Sequence, residues 1–104
     1  MPTATHPLTI EFQEGFQDDT VLLRMDGVET MRQQHVKTRL QTGYAAASAA
    51  TVPEGRVVLE VELPASAESA QVVLDVQAPL WVGVNLDPGR IFRFKLSDTP
   101  FGYV

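Results

Sequence analysis

The stretch Val57-Val58-Leu59-Glu60-Val61-Glu62-Leu63 decides the fold. Val57, Leu59, Val61 and Leu63 fall on one side of an extended chain, and Val58, Glu60 and Glu62 on the other. A strand with one face in an apolar core and one in water requires that period of two. The same rhythm recurs outward in both directions. Toward the C-terminus, Val72, Leu74 and Val76 alternate with Val73, Asp75 and Gln77. Leu80, Val82, Val84 and Leu86 alternate with Trp81, Gly83, Asn85 and Asp87, and Phe92, Phe94 and Leu96 with Arg93 and Lys95. Toward the N-terminus, Val36, Thr38 and Leu40 give a weaker example. Val21, Leu23 and Met25 alternate with Leu22, Arg24 and Asp26, and Leu8, Ile10 and Phe12 with Thr9, Glu11 and Gln13.

Turn chemistry separates these runs. Asp26-Gly27 suits a type I′ hairpin, whose two central residues need positive φ, and a two-residue loop pairs Met25 with Val28 and Leu23 with Thr30. Pro53-Glu54-Gly55 suits a type I turn closed by a glycine bulge, and Pro88-Gly89 another tight turn. At Pro88-Gly89 the register must keep apolar faces together. A three-residue loop does so, with Leu86 opposite Arg90, Val84 opposite Phe92, Val82 opposite Phe94 and Leu80 opposite Leu96. Trp81 then faces Lys95 on the outer surface. The alanine-rich stretch from Tyr44 to Ala50 has high helix propensity. Gly43 before it and Pro53 after it favour a strand of small side chains instead. Ala65 to Ala70 reads as a loop.

Eight or nine short strands with regular turn signals and no assured helix predict an all-β fold. The expected form is a small antiparallel β-sandwich, Greek-key or immunoglobulin-like in general architecture, with residues 1–104 as a single domain. An immunoglobulin core would normally add a cysteine pair and an earlier tryptophan; here there is no cysteine and Trp81 lies late. With 104 residues, 44% of them hydrophobic, the chain has enough apolar surface for a core without metal or disulfide staples.

The bulk properties also narrow function. A net charge of −5 with eight scattered basic residues argues against nucleic acid, which needs concentrated Lys and Arg. Without cysteine there is no disulfide, thiolate metal site or cysteine nucleophile. No segment reads as a signal peptide or reaches bilayer-spanning length, so the expectation is a soluble, cytoplasmic protein without a membrane partner.

Candidate chemistry is sparse. His6 and His35 lack metal-ligand spacing, and a metal needs three or four converging donors. Glu14, Asp18 and Asp19 share a loop where acids can bind calcium, although Asp also favours turns for local reasons. Glu60 and Glu62 form a carboxylate pair on what reads as a wet strand face. Nucleophile-elbow and phosphate-loop motifs are absent. The expectation is therefore a non-enzyme with no cofactor.

Apolar residues on outward positions give the one surface signal. Leu22 and Met31 should face each other across the Asp26-Gly27 hairpin. Val58, Val73, Trp81 and Ile91 also fall outward, and tryptophan is enriched at contact hot spots. The terminal Pro100-Phe101-Gly102-Tyr103-Val104 is aromatic for a chain end, which points to packing over the core or onto another subunit. Trp81, Lys95, Leu22, Met31, Ile91, Phe101 and Tyr103 are thus the candidate interface. The preferred reading is a protein-interaction or self-association module, with a protein partner or homo-oligomer. The alternative is a small-ligand module for carbohydrate or calcium.

Overall fold

β5 (Gly55–Leu63) carries the alternation at the heart of the sequence, with Val57, Leu59, Val61 and Leu63 all buried. The computed structural model describes residues 4–38, 45–66 and 68–101. Seven further strands accompany β5: β1 (Thr5–Phe12), β2 (Asp19–Met25), β3 (Val28–Val36), β4 (Ala46–Pro53), β6 (Glu68–Val76), β7 (Leu80–Leu86) and β8 (Phe92–Ser97). They form two four-stranded sheets, ordered β4-β1-β7-β8 and β3-β2-β5-β6. The apolar faces meet in one buried cluster that draws on all eight strands and on Phe16. The all-β sandwich expected from the period-two pattern is the observed architecture. One pairing departs from a purely antiparallel design: β1 runs parallel to β7, with Leu8 opposite Leu80 and Phe12 opposite Val84.

Each turn signal is real, but most of the residue pairings inferred from them change. Asp26 and Gly27 both have positive φ, 52° and 83°, and Met25 faces Val28 as the two-residue loop requires. Beyond that, Arg24 faces Glu29 and Leu23 faces Met31, so Thr30 is an extra residue, a β-bulge. The bulge reverses the parity of β3. Met31 turns to pack against the core beside Leu23, and Leu22 sits opposite Arg32 rather than Met31.

Pro53-Glu54-Gly55 is a corner rather than a hairpin. β4 lies at the edge of one sheet and β5 inside the other, and the turn carries the chain between them. Glu54 still belongs to the first sheet, its N–H donating to the Ala4 carbonyl at 2.8 Å. The alanine stretch is a strand over Ala46–Pro53, as its flanking breakers suggested. Leu40, Gly43, Tyr44 and Tyr103 lie outside the described residues. The loop expected to reach Ala70 ends earlier, because Glu68 already pairs with Leu63 and Ala70 packs against the core.

The β7–β8 connection has the predicted odd parity but a register displaced by one pleat. Leu86 faces Phe92, Val84 faces Phe94, Val82 faces Leu96, and Trp81 faces Ser97 instead of Lys95. Asp87 is the physical reason. Its carbonyl accepts the Arg90 N–H at 2.8 Å, its N–H reaches the Ile91 carbonyl at 3.0 Å, and its Oδ1 accepts the Ile91 N–H at 3.0 Å. Those bonds build a longer loop from Asp87 to Ile91, with Arg90 in the left-handed region at φ 64°. As a result Leu96, inward by parity, stands near the end of edge strand β8 and is 51% exposed.

Candidate functional site

Two surface regions bring polar or aromatic side chains together. The first is an open cleft of about 720 Å³ at one end of the sandwich, between the β1–β2 and β7–β8 loops. Phe16 anchors the first loop: its ring is buried and meets Phe12 edge-on, centroids 5.5 Å apart. Thr38 clamps the same loop, its hydroxyl donating to the Gln13 carbonyl at 2.6 Å and accepting the Phe16 N–H at 3.1 Å. Gly15 presses against the backbone of Leu86, where a Cβ would lie 1.8 Å from the carbonyl oxygen. On the second loop Arg90 donates from Nε to Glu68 at 3.1 Å and from Nη2 to Asp19 at 3.4 Å. It therefore ties the β7–β8 loop to β6 and β2. Arg93 Nε donates to Asp87 Oδ2 at 3.2 Å.

The electrostatics follow from those pairs. The Ile91 N–H does most to hold the Asp87 carboxyl below its ordinary value of 3.8, against partial desolvation and helped by Arg93. For Arg90, burial works against the charge. The Glu68 and Asp19 carboxylates outweigh it and raise the pKa. Among the described residues lining the cleft, Arg90 and Arg93 are each paired with a carboxylate, Arg93 through Nε alone. No histidine or serine is among the described residues lining the cleft, so those residues offer hydrogen bonds and shape but no hydroxyl nucleophile beside an imidazole base.

The second region is the outer face of the β4-β1-β7-β8 sheet. The registers set Ala49, Thr9, Trp81 and Ser97 in one row across it, and Ala47, Glu11, Gly83 and Lys95 in the next. Trp81 is half-buried and takes no part in the core cluster. Among the described residues its indole N–H makes no hydrogen bond, so it is an unspent donor. The Gln13 amide lies over Gly83, where a Cβ would meet its Oε1 at 2.5 Å, and that amide accepts from Asn85 Nδ2 at 2.9 Å. Lys95 places its ammonium 5.8 Å from the centroid of the Phe101 ring, a cation–π contact. The Phe101 ring thus lies by the outer face, and it is not part of the core cluster.

No known family model, curated protein or solved structure matches this chain.

Of the residues singled out in the sequence, Trp81, Lys95 and Phe101 share this outer face. Leu22 is 1% exposed on the other sheet, and Met31 packs against the core. Ile91 is 59% exposed but sits in the β7–β8 loop. The loop acids do not converge. Asp18 bonds His35 Nδ1 at 2.8 Å, Asp19 accepts the Gln17 N–H and the Arg90 guanidinium, and Glu14 lines the cleft. Among the described residues no three or more His, Asp or Glu side chains form a group that could hold a metal ion. His6 instead meets Glu54 at 3.0 Å. Glu60 and Glu62 share Arg24, whose Nη1 donates to them at 2.8 and 2.9 Å. The cleft has no signature in the sequence, because Glu14 and Arg90 come from two loops and Asn85 and Arg93 from β7 and β8, with no local motif.

Proposed function

We propose that the domain is a non-enzymatic interaction module, an immunoglobulin-like sandwich of the cytoplasm that meets a protein partner or another copy of itself. It acts through the outer face of the β4-β1-β7-β8 sheet. The observation that carries this reading is Trp81. It stands outside the core, its indole N–H makes no hydrogen bond among the described residues, and its cross-strand partners Thr9 and Ser97 are small. A large, rigid ring with one polar handle among small neighbours is the usual anchor of a contact surface. Lys95 and Phe101 extend the same surface.

Trp81 is the sole tryptophan, so its emission reports on this face alone. Titrating the protein against itself or a candidate partner should shift that emission to the blue as complex mass rises in sedimentation. The Trp81→Glu variant should keep its far-UV spectrum and lose the complex. A variant that associates as the wild type does removes the reading. The ligand-binding alternative has the open cleft in its favour; calorimetric titrations with calcium and a glycan panel that stay flat would dispose of it.

A further inference from the structure

We infer that two copies of this chain join edge to edge through β4, making one continuous sheet from two β4-β1-β7-β8 sheets. The inference rests on the interaction-module reading and names its partner. A sheet edge presents unpaired N–H and C=O groups, and folded proteins guard such edges with charge, bulges or irregular register. Three of the four edge strands here are guarded. β3 carries Glu29, Arg32 and His35 and has two register shifts against β2. β6 carries Glu68 and Asp75, and β8 carries Arg93 and Lys95. β4 is Ala-Ala-Ser-Ala-Ala-Thr-Val-Pro, with no charge, and it pairs with β1 in unbroken register from Ala46 to Pro53. Among the described residues nothing pairs with its other side.

The hydrogen-bond phase of β4 selects how a second copy would add. In an antiparallel ladder, residues alternate between bonding one neighbour and bonding the other. The Glu54 N–H donates to Ala4, so the even-numbered residues of β4 bond β1. Pro53 and Pro7, which have no N–H to give, agree with that phase. The N–H and C=O groups of Ala47, Ala49 and Thr51 therefore point to the open edge, and all three residues are exposed.

A two-fold axis at Ala49 sets Ala49 against its own copy and Ala47 against Thr51. These pairs exchange about six hydrogen bonds. It also places Ser48 opposite Ala50 and Ala46 opposite Val52, so the inner faces stay on one side. Centring on Ala50 would set Ala47 against Pro53, whose missing N–H removes two bonds from that longer ladder, so it gains none over the axis at Ala49 and brings a proline ring into the seam. The small side chains let the backbones approach without obstruction.

Sedimentation velocity over a concentration series, with amide exchange by NMR, tests this. The expected result is a monomer–dimer equilibrium in which exchange at Ala47, Ala49 and Thr51 slows with concentration. The amides of Ser48 and Ala50, already bonded to β1, should not change. Ala49→Pro removes only an outward N–H, so the monomer should fold with loss of the dimer. Ala49→Lys, which keeps every backbone bond, should do the same by charge repulsion. A monomer at every concentration overturns the inference. So does a dimer that survives both variants but is lost in Trp81→Glu; that pattern would leave the outer-face reading standing.

Discussion

Gly15→Ala is the sharpest test of how the two loops are held. Gly15 has φ of 95°, and a Cβ there would lie 1.8 Å from the Leu86 carbonyl oxygen and 2.7 Å from its carbonyl carbon. The clash is with backbone, which cannot rotate away as a side-chain end can. Relief means lifting the β1–β2 loop, with the Leu86 N–H to Glu14 and Gln13 N–H to Val84 bonds, both below 3.0 Å, at risk. Gly27 supplies the internal control. Its φ is 83°, yet a Cβ there meets nothing within 4 Å. Gly27→Ala should therefore cost only the left-handed penalty, roughly 1–2 kcal/mol. Gly15→Ala adds an overpacking cost of about 1–3 kcal/mol. The expected total is about 2–5 kcal/mol, with melting lowered by roughly 4–8 °C per kcal/mol in a domain of this size. Urea unfolding followed by Trp81 emission and far-UV circular dichroism would measure both. Equal loss of stability in the two variants would refute the claim that the Leu86 contact limits this position.

Leu59→Ala, at a fully buried site, should lower stability by about 2–5 kcal/mol, whereas Leu96→Ala should stay within about 0.5 kcal/mol despite its shared parity; denaturant midpoints compare them directly. The folded-state pKa of Asp87 lies below 3.8, so its contribution to stability is full above that value and is lost as pH falls through the depressed one. In Asp87→Asn, which keeps an acceptor for the Ile91 N–H, that share of the acid-induced loss should vanish from melts taken across about pH 2–6. Arg24→Met leaves Glu60 and Glu62 facing each other without their shared cation. Its destabilisation should be largest at low ionic strength and shrink in about 1 M salt, where the Debye length is about 3 Å.

The strands of this fold are legible in its sequence because burial on one face leaves a period-two trace, as along Val57 to Leu63. Turns are legible when backbone conformation demands a residue type, as at Asp26-Gly27. Pairing is less so. The bulge at Thr30 has no composition signature, and it sends Met31 toward the core and breaks the expected Leu22–Met31 pair. Pro53-Glu54-Gly55 looks the same whether the next strand returns beside the last or crosses to the other sheet. Pro88-Gly89 marks a turn but not its length, which the carboxylate of Asp87 sets through space. The surface around Trp81 is half visible in the sequence: the ring stands out, but its neighbours Thr9 and Ser97 come from other strands that only topology brings alongside.

The parallel pairing of β1 with β7 makes completion of the molecule a late event in synthesis. Leu8, Ile10 and Phe12 leave the ribosome before β7 does, and one side of their strand has no neighbour until Leu80 to Val84 follow. The hairpins β2–β3 and β5–β6 need only local chain and can zip at once. The β3-β2-β5-β6 sheet can therefore be complete in sequence while one side of β1 still waits for its partner. Weakening β7 would uncover that same side of β1, with Leu8, Ile10 and Phe12 along it.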